Sequence, residues 1–321
     1  MRVNLAIQIP AEAVTDSIIL CVLCMATNKV EAPMWKHVQE SVFQAPLRSL
    51  QWLDIYGRLS PHLIHQAGLV QLINLRGGLE RIELPGLAAI IAYSSVLGAS
   101  RSLSRPSFPY ISVQTGGHLI LQDIINPHTE RFSSPHIPPE MQDIFRAQLT
   151  YVTEIEMYED GIPISRDVLC DHRNLIQWHI MSLIPSGQLG SSHSGLYPLY
   201  EASRLALIIF GVGVSFPLPP QSAPLVTLAR MLKLELQSYH RSVQEIPISA
   251  VSLYTWILML GCIAATGSAE RKWYINSMGA HVVFYGPITW YEFKIELKSI
   301  LWLERACDQP GELVWNEVMC L

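Results

Sequence analysis

The chain has 321 residues, of which 50% are hydrophobic and only 15% are charged, and its formal net charge is -5 at pH 7. This length allows one large domain or two of ordinary size, and the charged fraction, well below the roughly 25% of an average soluble domain, indicates extensive burial of apolar surface. The negative charge excludes binding driven by neutralisation of nucleic-acid phosphates, since the basic residues form nothing longer than pairs such as Arg271 and Lys272.

The six cysteines, at positions 21, 24, 170, 262, 307 and 320, lack the dense spacing of a disulfide-stapled secreted scaffold. Residues 1–10 lack the charged and apolar regions of a secretory signal. We therefore expect a soluble protein in a reducing compartment. That compartment is the nucleus or, as the alternative, the cytoplasm.

The first predicted element is an apolar helix around Cys21 and Cys24. A structural zinc site would need a second pair of ligands at a matching spacing, and none follows nearby. The apolar flanks of this Cys-x-x-Cys instead predict that both cysteines are buried and act as small hydrophobic side chains.

Two further helices are predicted before residue 100. The segment that begins at His62 runs into Gly77 and Gly78, and glycine can adopt the left-handed conformation that ends a helix. Pro85 suits the first turn of the next helix, which we expect from Leu87 to about Gly98. We expect these two helices to pack as a hairpin.

Three later segments place apolar side chains three and four residues apart, which puts them on one face of a helix. They open at Pro139, Leu225 and Trp290. Connections rich in serine, proline and glycine separate the helices, at 100–109, 126–138, 185–198 and 216–224. Since alternation with a period of two is nowhere sustained, the sequence predicts an all-α fold, an irregular multi-helix bundle with Pro/Ser-rich connecting loops.

Residues 246–269 carry no charge over 24 positions, which is longer than the roughly 20 residues needed to cross a bilayer. A membrane protein that spans the bilayer at 246–269 is therefore one alternative. Pro247, Gly261, Gly267 and several hydroxyl side chains in this stretch favour a buried core helix.

No metal site is predicted. His62 and His65 are three residues apart and could bring two imidazoles to one metal, but no third ligand accompanies them. Asp171, His172 and His179 form a similar group, for which a satisfied or solvent-facing role is the expected one.

No catalytic chemistry is predicted either. Residues 190–195, Gly-Ser-Ser-His-Ser-Gly, have the wrong spacing for a nucleophile elbow and follow no strand. Glycine-rich phosphate loops are absent. The sequence therefore predicts no enzyme activity, no catalytic or DNA-binding residues and no cofactor.

A series of short motifs stands in a consistent order between residues 65 and 315. The motifs are His65-Gln-Ala-Gly68-Leu69, Leu75-Arg76-Gly77-Gly78-Leu79, Arg105-Pro-Ser-Phe108-Pro109, Tyr200-Glu-Ala-Ser-Arg204, Trp256 to Gly261, Trp290-Tyr-Glu-Phe-Lys294, Cys307-Asp308 and Leu313-Val-Trp315. In this order they resemble the fungal-specific transcription factor domain. That domain is a helical regulatory region usually found C-terminal to a binuclear zinc-cluster module that reads DNA.

The resemblance implies that residues 1–321 form a single regulatory domain of a transcription regulator, located in the nucleus. It would act through a protein partner, which is either a transcription factor or a second copy of itself, or through a small-molecule effector of unknown identity. No association with a membrane is expected. The zinc-cluster module needs six cysteines within a short basic segment, which this sequence does not contain. We therefore expect that the chain does not bind DNA by itself.

Three polar positions within these motifs are candidates for an effector site or for structural roles: His65, Arg76 and Arg204. Arg76 could complement a helix C-terminus, and Arg204, on an apolar helix, could be held by a carboxylate or by carbonyls. Either could instead hold an anionic effector. Ser94 and Ser95 stand where the resemblance implies an acidic residue that could partner one of these arginines.

A helical ligand carrier or enzyme with an unrecognised pocket is a further alternative. Buried polar groups converging on a sizeable cavity would indicate it.

Overall fold

The computed structural model describes residues 14–27, 40–126, 132–189, 196–243, 245–285 and 289–321. Within these ranges it contains thirteen α-helices and no β-strand, which confirms the predicted all-α, multi-helix fold. The helices are α1 (Asp16–Thr27), α2 (Leu53–Tyr56), α3 (Leu63–Arg76), α4 (Leu87–Ser102), α5 (Leu121–Ile124), α6 (Pro139–Glu159), α7 (Arg166–Ser182), α8 (Tyr200–Phe210), α9 (Leu225–Ser242), α10 (Val251–Ala264), α11 (Arg271–Tyr285), α12 (Trp290–Ile300) and α13 (Glu304–Met319).

The main core is the buried cluster formed mostly by α6 to α13. Helix α10 lies at its centre, in contact with α8, α9, α11, α12 and α13. Residues 253–264 of α10 and residues 199–219, which include α8 and a π-helical turn at Gly211–Ser215, are buried without interruption. A helix that is apolar on all sides is stable only when other helices surround it, which explains the central position of α10.

The uncharged stretch 246–269 is not one continuous helix. A 3₁₀ turn at Ile248–Ala250 precedes α10, and α10 ends after 14 residues at Ala264. Fourteen residues span about 21 Å, less than the roughly 30 Å of a bilayer core. No helix in the described ranges is long and apolar enough to cross a membrane. The burial of residues 253–264 confirms the core-helix interpretation of the stretch 246–269.

A smaller buried cluster joins α1, α3 and α4, which we call the N-terminal layer. Helix α3 ends as predicted, because Gly77 is left-handed with a φ of 95° and its N–H bonds the carbonyls of Asn74 and Ile73. Helix α4 begins at Leu87 as predicted and extends to Ser102. The expected α3–α4 hairpin is wrong, because α3 packs mainly on α1 and makes few contacts with α4.

Two buried polar residues of α7, Asp171 and Arg173, form hydrogen bonds to segments that are distant in sequence. The Asp171 carboxylate accepts hydrogen bonds from the Tyr110 hydroxyl at 2.6 Å, the Ser112 hydroxyl at 2.7 Å and the Val113 N–H at 2.6 Å. Arg173 donates hydrogen bonds to residues 50 and 51. Asp171 is therefore a structural anchor for the loop after α4.

Candidate ligand-binding cavity

An apolar cavity of about 340 Å³ lies between the N-terminal layer and the segment 51–61. Residues of α1, α4 and the segment 51–61 line it, together with Gln66 of α3. The described side chains that line it are mostly apolar or aromatic: Leu20, Leu23, Cys24, Trp52, Tyr56, Leu59, Pro61, Ile90, Tyr93 and Leu97. Its volume falls within the roughly 300–1,000 Å³ of small-molecule sites.

Two consecutive left-handed residues place an aromatic side chain at the cavity mouth. Gln51 has a φ of 54° and Trp52 has a φ of 57°, values that non-glycine residues rarely adopt. The Trp52 side chain lines the cavity, although the residue is 66% exposed to solvent. Conformations of this kind persist only where surrounding contacts enforce them, and they concentrate at binding sites.

Arg173 of α7 supplies the enforcing contacts. Its guanidinium donates to the Leu50 carbonyl at 2.9 Å and to Gln51 Oε1 at 2.8 Å, while Asn174 Nδ2 donates to the same Gln51 oxygen at 2.8 Å. The guanidinium also lies over the Phe216 ring, 5.1 Å from its centroid. Because Arg173 is only 1% exposed, these contacts replace its lost hydration.

Tyr93 of α4 joins this clamp to the cavity wall. Its hydroxyl lies 3.4 Å from the Gln51 carbonyl, to which it donates. Burial raises the pKa of Tyr93 to about 12, further above neutral pH than its ordinary value of 10, and the protonated hydroxyl is a donor. The shape of the mouth is thus set by residues of α4 and α7 that are distant in sequence.

A second cavity, of about 450 Å³, adjoins the first and has a different character. Hydroxyl and guanidinium groups are prominent in its walls: Ser94, Ser95, Ser102, Ser104, Arg105, Ser107 and Ser222. Gln66, Gly98 and Arg101 line both cavities. Among the described residues, and apart from its chain neighbours and the backbone of its own helix, a Cβ atom built on Gly98 would have only Gln66 Nε2, at 3.8 Å, within 4 Å, so glycine leaves open space at this boundary.

Arg101, in the last turn of α4, stands at the junction of the two cavities. It is half-buried, and its Nη1 donates a hydrogen bond to the Leu59 carbonyl. Burial lowers the pKa of Arg101 from its ordinary value, but an arginine side chain remains charged at neutral pH. The apolar cavity therefore has a cation at one end.

The structure gives Arg76 carboxylate and carbonyl partners within the N-terminal layer. Its Nη2 lies 3.5 Å from the Asp16 carboxylate and 3.9 Å from that of Glu83, and Nη1 donates to the Val14 carbonyl at 3.2 Å. Asp16 also accepts from the Glu83 N–H at 2.8 Å. Arg76 thus joins the start of α1 to the end of α3, and it does not line either cavity.

Arg204 is held by a carboxylate, which is the structural role expected for it rather than an effector-binding one. Its Nε and Nη2 donate to the two oxygens of Glu201 at 2.8 and 2.7 Å, and both residues are buried. Glu201 also accepts the Ser186 N–H at 2.9 Å. This bidentate pair belongs to the main core, so the structure brings Arg204 close to neither Arg76 nor the cavities.

His65 lies on α3 beside Gln66, three helical turns before Arg76. Its ring contacts that of His62, with the centroids 4.2 Å apart. Within the described ranges no group of three or more histidine, cysteine or acidic side chains is arranged to hold a metal ion. Of the three candidate positions, His65 is the one adjacent to a residue that lines the cavities.

The prediction for the Cys-x-x-Cys pair is wrong in its burial. Cys21 and Cys24 lie on α1 as expected, but both are exposed, and Cys24 lines the apolar cavity. Helix α1 packs on α3 instead through Ile19 and Val22, which are buried.

Sequence reasoning missed the residues that define this site, above all Trp52, Arg101 and Arg173. Arg101 had a detectable signal, because it is the one charged residue in the apolar sequence of α4. For Trp52 and Arg173 we find no such signal, since their roles depend on contacts between segments more than 100 residues apart.

Comparisons of the chain with models of known protein families, with curated proteins and with solved structures give no match. The resemblance to the fungal-specific transcription factor domain therefore stays a prediction from its motifs.

Proposed function

We propose that this chain is a ligand-responsive regulatory domain of the transcription-regulator type. It binds a small apolar molecule in the cavity between α1 and α4, and a protein partner, which supplies the DNA contact, responds to the occupied state. The cavity is the single observation that carries this proposal. The regulatory context comes from the resemblance of the motifs.

The walls of the cavity support a binding role. Apolar and aromatic side chains dominate them, and a few polar groups, from Gln66, Ser94 and Arg101, stand at one end. This combination of apolar area and a few fixed polar groups is typical of small-molecule sites. Leu20, Trp52 and Ile90 line the cavity and remain 38%, 66% and 52% exposed, so a bound molecule would cover apolar surface that now contacts water.

The chemistry of the lining favours binding over catalysis. Among the described residues that line the apolar cavity there is no carboxylate and no histidine, the groups from which general bases are most often drawn. The chain's net charge of -5 likewise favours an indirect contact with DNA.

An exposed apolar surface that a protein partner could cover adjoins the cavity. Leu63 and Ile64, at the start of α3, are 74% and 76% exposed, and they follow Pro61, which lines both cavities. A protein that covers these side chains would touch the cavity rim. Ligand and partner would then both favour one arrangement of α1, α3 and α4. A ligand shifts a population of conformations in this way, by binding one of them more tightly.

The binding step can be tested with N-phenyl-1-naphthylamine, a neutral dye that fluoresces in apolar sites. We expect saturable binding to the full chain and its loss in Gly98→Phe, whose ring would fill the space between the cavities. Gly98→Ala is the matched control, because its methyl group meets only Gln66 Nε2 at 3.8 Å. Equal binding by all three proteins would show that the cavity is not the site.

The regulatory step needs a second measurement. The full chain is fused to an unrelated DNA-binding module, and reporter expression is followed with and without a compound that binds the wild type but not Gly98→Phe. We expect the compound to change expression for the wild type alone. Binding without any change in expression would indicate a ligand carrier and contradict the regulatory proposal.

A further inference from the structure

The position of Arg101 suggests which class of molecule the cavity takes. Arg101 lines the apolar cavity and the serine-rich cavity beside it. A molecule that fills the first would bring one end to the guanidinium. The ligand group at that end must therefore interact favourably with a positively charged, half-buried guanidinium.

The hydrogen-bonding capacity of Arg101 is largely unused within the protein. A guanidinium has five N–H donors, and the contact we find for this one is the bond from Nη1 to the Leu59 carbonyl. Among the described residues, no carboxylate oxygen lies within 4.0 Å of it. Arg76 and Arg204, by contrast, each have a carboxylate partner.

A half-buried guanidinium without a carboxylate partner has an unfavourable desolvation energy, and an anion with two oxygen atoms would compensate this energy best. Partial burial removes water from the guanidinium, and charge-assisted, bidentate hydrogen bonds replace that water most effectively. Ser94, two turns before Arg101 on α4, also lines both cavities, and its hydroxyl has no partner among the described residues. Among the described residues, the site thus offers hydrogen-bond donors and no competing carboxylate.

We propose that the cavity binds an amphipathic organic acid, whose apolar body lies between α1 and α4 and whose anionic group is recognised by Arg101. This inference rests on the proposed ligand-binding function. It adds a charge requirement that a purely apolar site would lack. Ser94 and the serine-rich cavity would accommodate the remaining oxygen atoms and water around the anion.

Two dyes separate the charge from the apolar body. N-phenyl-1-naphthylamine is neutral, and 1-anilinonaphthalene-8-sulfonate has the same ring system with an added sulfonate. For the full chain we expect the sulfonate to bind more tightly. Arg101→Gln should weaken sulfonate binding by about 10- to 100-fold, the value of a charged hydrogen bond, and change binding of the neutral dye by less than about twofold. Arg58→Gln, which removes an exposed charge that lines neither cavity, is the control.

A second pair of variants leaves Arg101 intact, in case its substitution prevents folding. Ser94→Asp adds a carboxylate to the same wall and should weaken sulfonate binding by about tenfold relative to Ser94→Asn, which has nearly the same shape. The neutral dye should not distinguish these two proteins.

The possible outcomes have different meanings. If neither dye binds the wild type at the cavity, the proposed function fails and this inference fails with it. If the neutral dye binds but the ratio of the two affinities is the same in the wild type, Arg101→Gln and Ser94→Asp, the binding function stands and the charge requirement is overturned. Loss of both dyes in a folded Arg101→Gln protein would also overturn it, because Arg101 would then only shape the cavity.

Discussion

The main core and the N-terminal layer use similar helices in opposite ways. In the main core, α8 and α10 bury all or nearly all of their residues, and Gly261 of α10 lies so close to α11 that an added Cβ would be 2.3 Å from the Tyr274 ring. In the N-terminal layer, α4 is also apolar, yet Gly98 faces open space and Ile90 is 52% exposed. The difference shows that the helices of the main core are tightly packed against one another, whereas α4 of the N-terminal layer leaves unfilled space beside Gly98 and apolar surface exposed at Ile90.

The largest expected effect separates two arginines, one in each region. Arg204→Met leaves the buried Glu201 carboxylate without its partner, and we expect the free energy of unfolding to fall by about 3–5 kcal/mol. Arg76→Met loses contacts at a 23% exposed side chain and should cost about 1–2 kcal/mol. Urea denaturation measures both.

The control for Arg204 is the double variant Glu201→Gln, Arg204→Met, in which no carboxylate is left unpaired. It should recover much of the loss, since removal of both charges avoids the desolvation penalty. Equal losses for Arg76→Met and Arg204→Met would contradict the contrast between the regions. A stable Arg76→Met or Arg204→Met protein that no longer responds to a ligand would instead assign an effector role to that arginine.

The next effect is a dependence of the main core on pH. Burial, together with the nearby His240, lowers the pKa of His281 to about 4 from an ordinary value of 6.5. The unfolded chain therefore binds a proton between these values that the folded chain does not, so stability is full above about pH 6.5 and falls as the pH decreases towards 4. Over this range His281 should account for about 2–3 kcal/mol.

His281→Gln tests this dependence because a glutamine amide can replace the bond that joins His281 Nε2 to Thr255 Oγ1 at 2.7 Å. Burial also lowers the pKa of His179 to about 4 and lowers the pKa values of His136 and His240, so the variant should remove only part of the acid destabilisation. Unfolding curves at several pH values measure the slope. An unchanged slope would exclude His281 as a source.

The smallest expected effect comes from one substitution made in both regions. Gly261→Ala should destabilise by about 1–3 kcal/mol, because its methyl group collides with the Tyr274 ring. Gly98→Ala should stabilise by up to about 1 kcal/mol, because alanine favours a helix and meets only Gln66 Nε2. Thermal unfolding of the two variants measures the difference, and effects of the same sign would show that the two regions are equally packed.

The sequence by itself determined the all-α class, several of the helices and some of their ends. Periodic apolar residues predicted α6, α9 and α12, Gly77 predicted the end of α3, and the composition of 246–269 favoured a core helix. These features depend on neighbours within a few residues, where the 3.6-residue period and the freedom of glycine act directly.

Only the tertiary structure decided where the cavity lies and which arginine faces it. The candidates Arg76 and Arg204 are held by carboxylates, while Arg101, which no motif marked, stands at the junction of two cavities. A cavity exists where helices fail to fill the space between them, and the pairing of charges depends on which side chains meet across that space. Both depend on contacts between distant segments, such as that of Arg173 with residues 50–51, which periodicity along the chain does not encode.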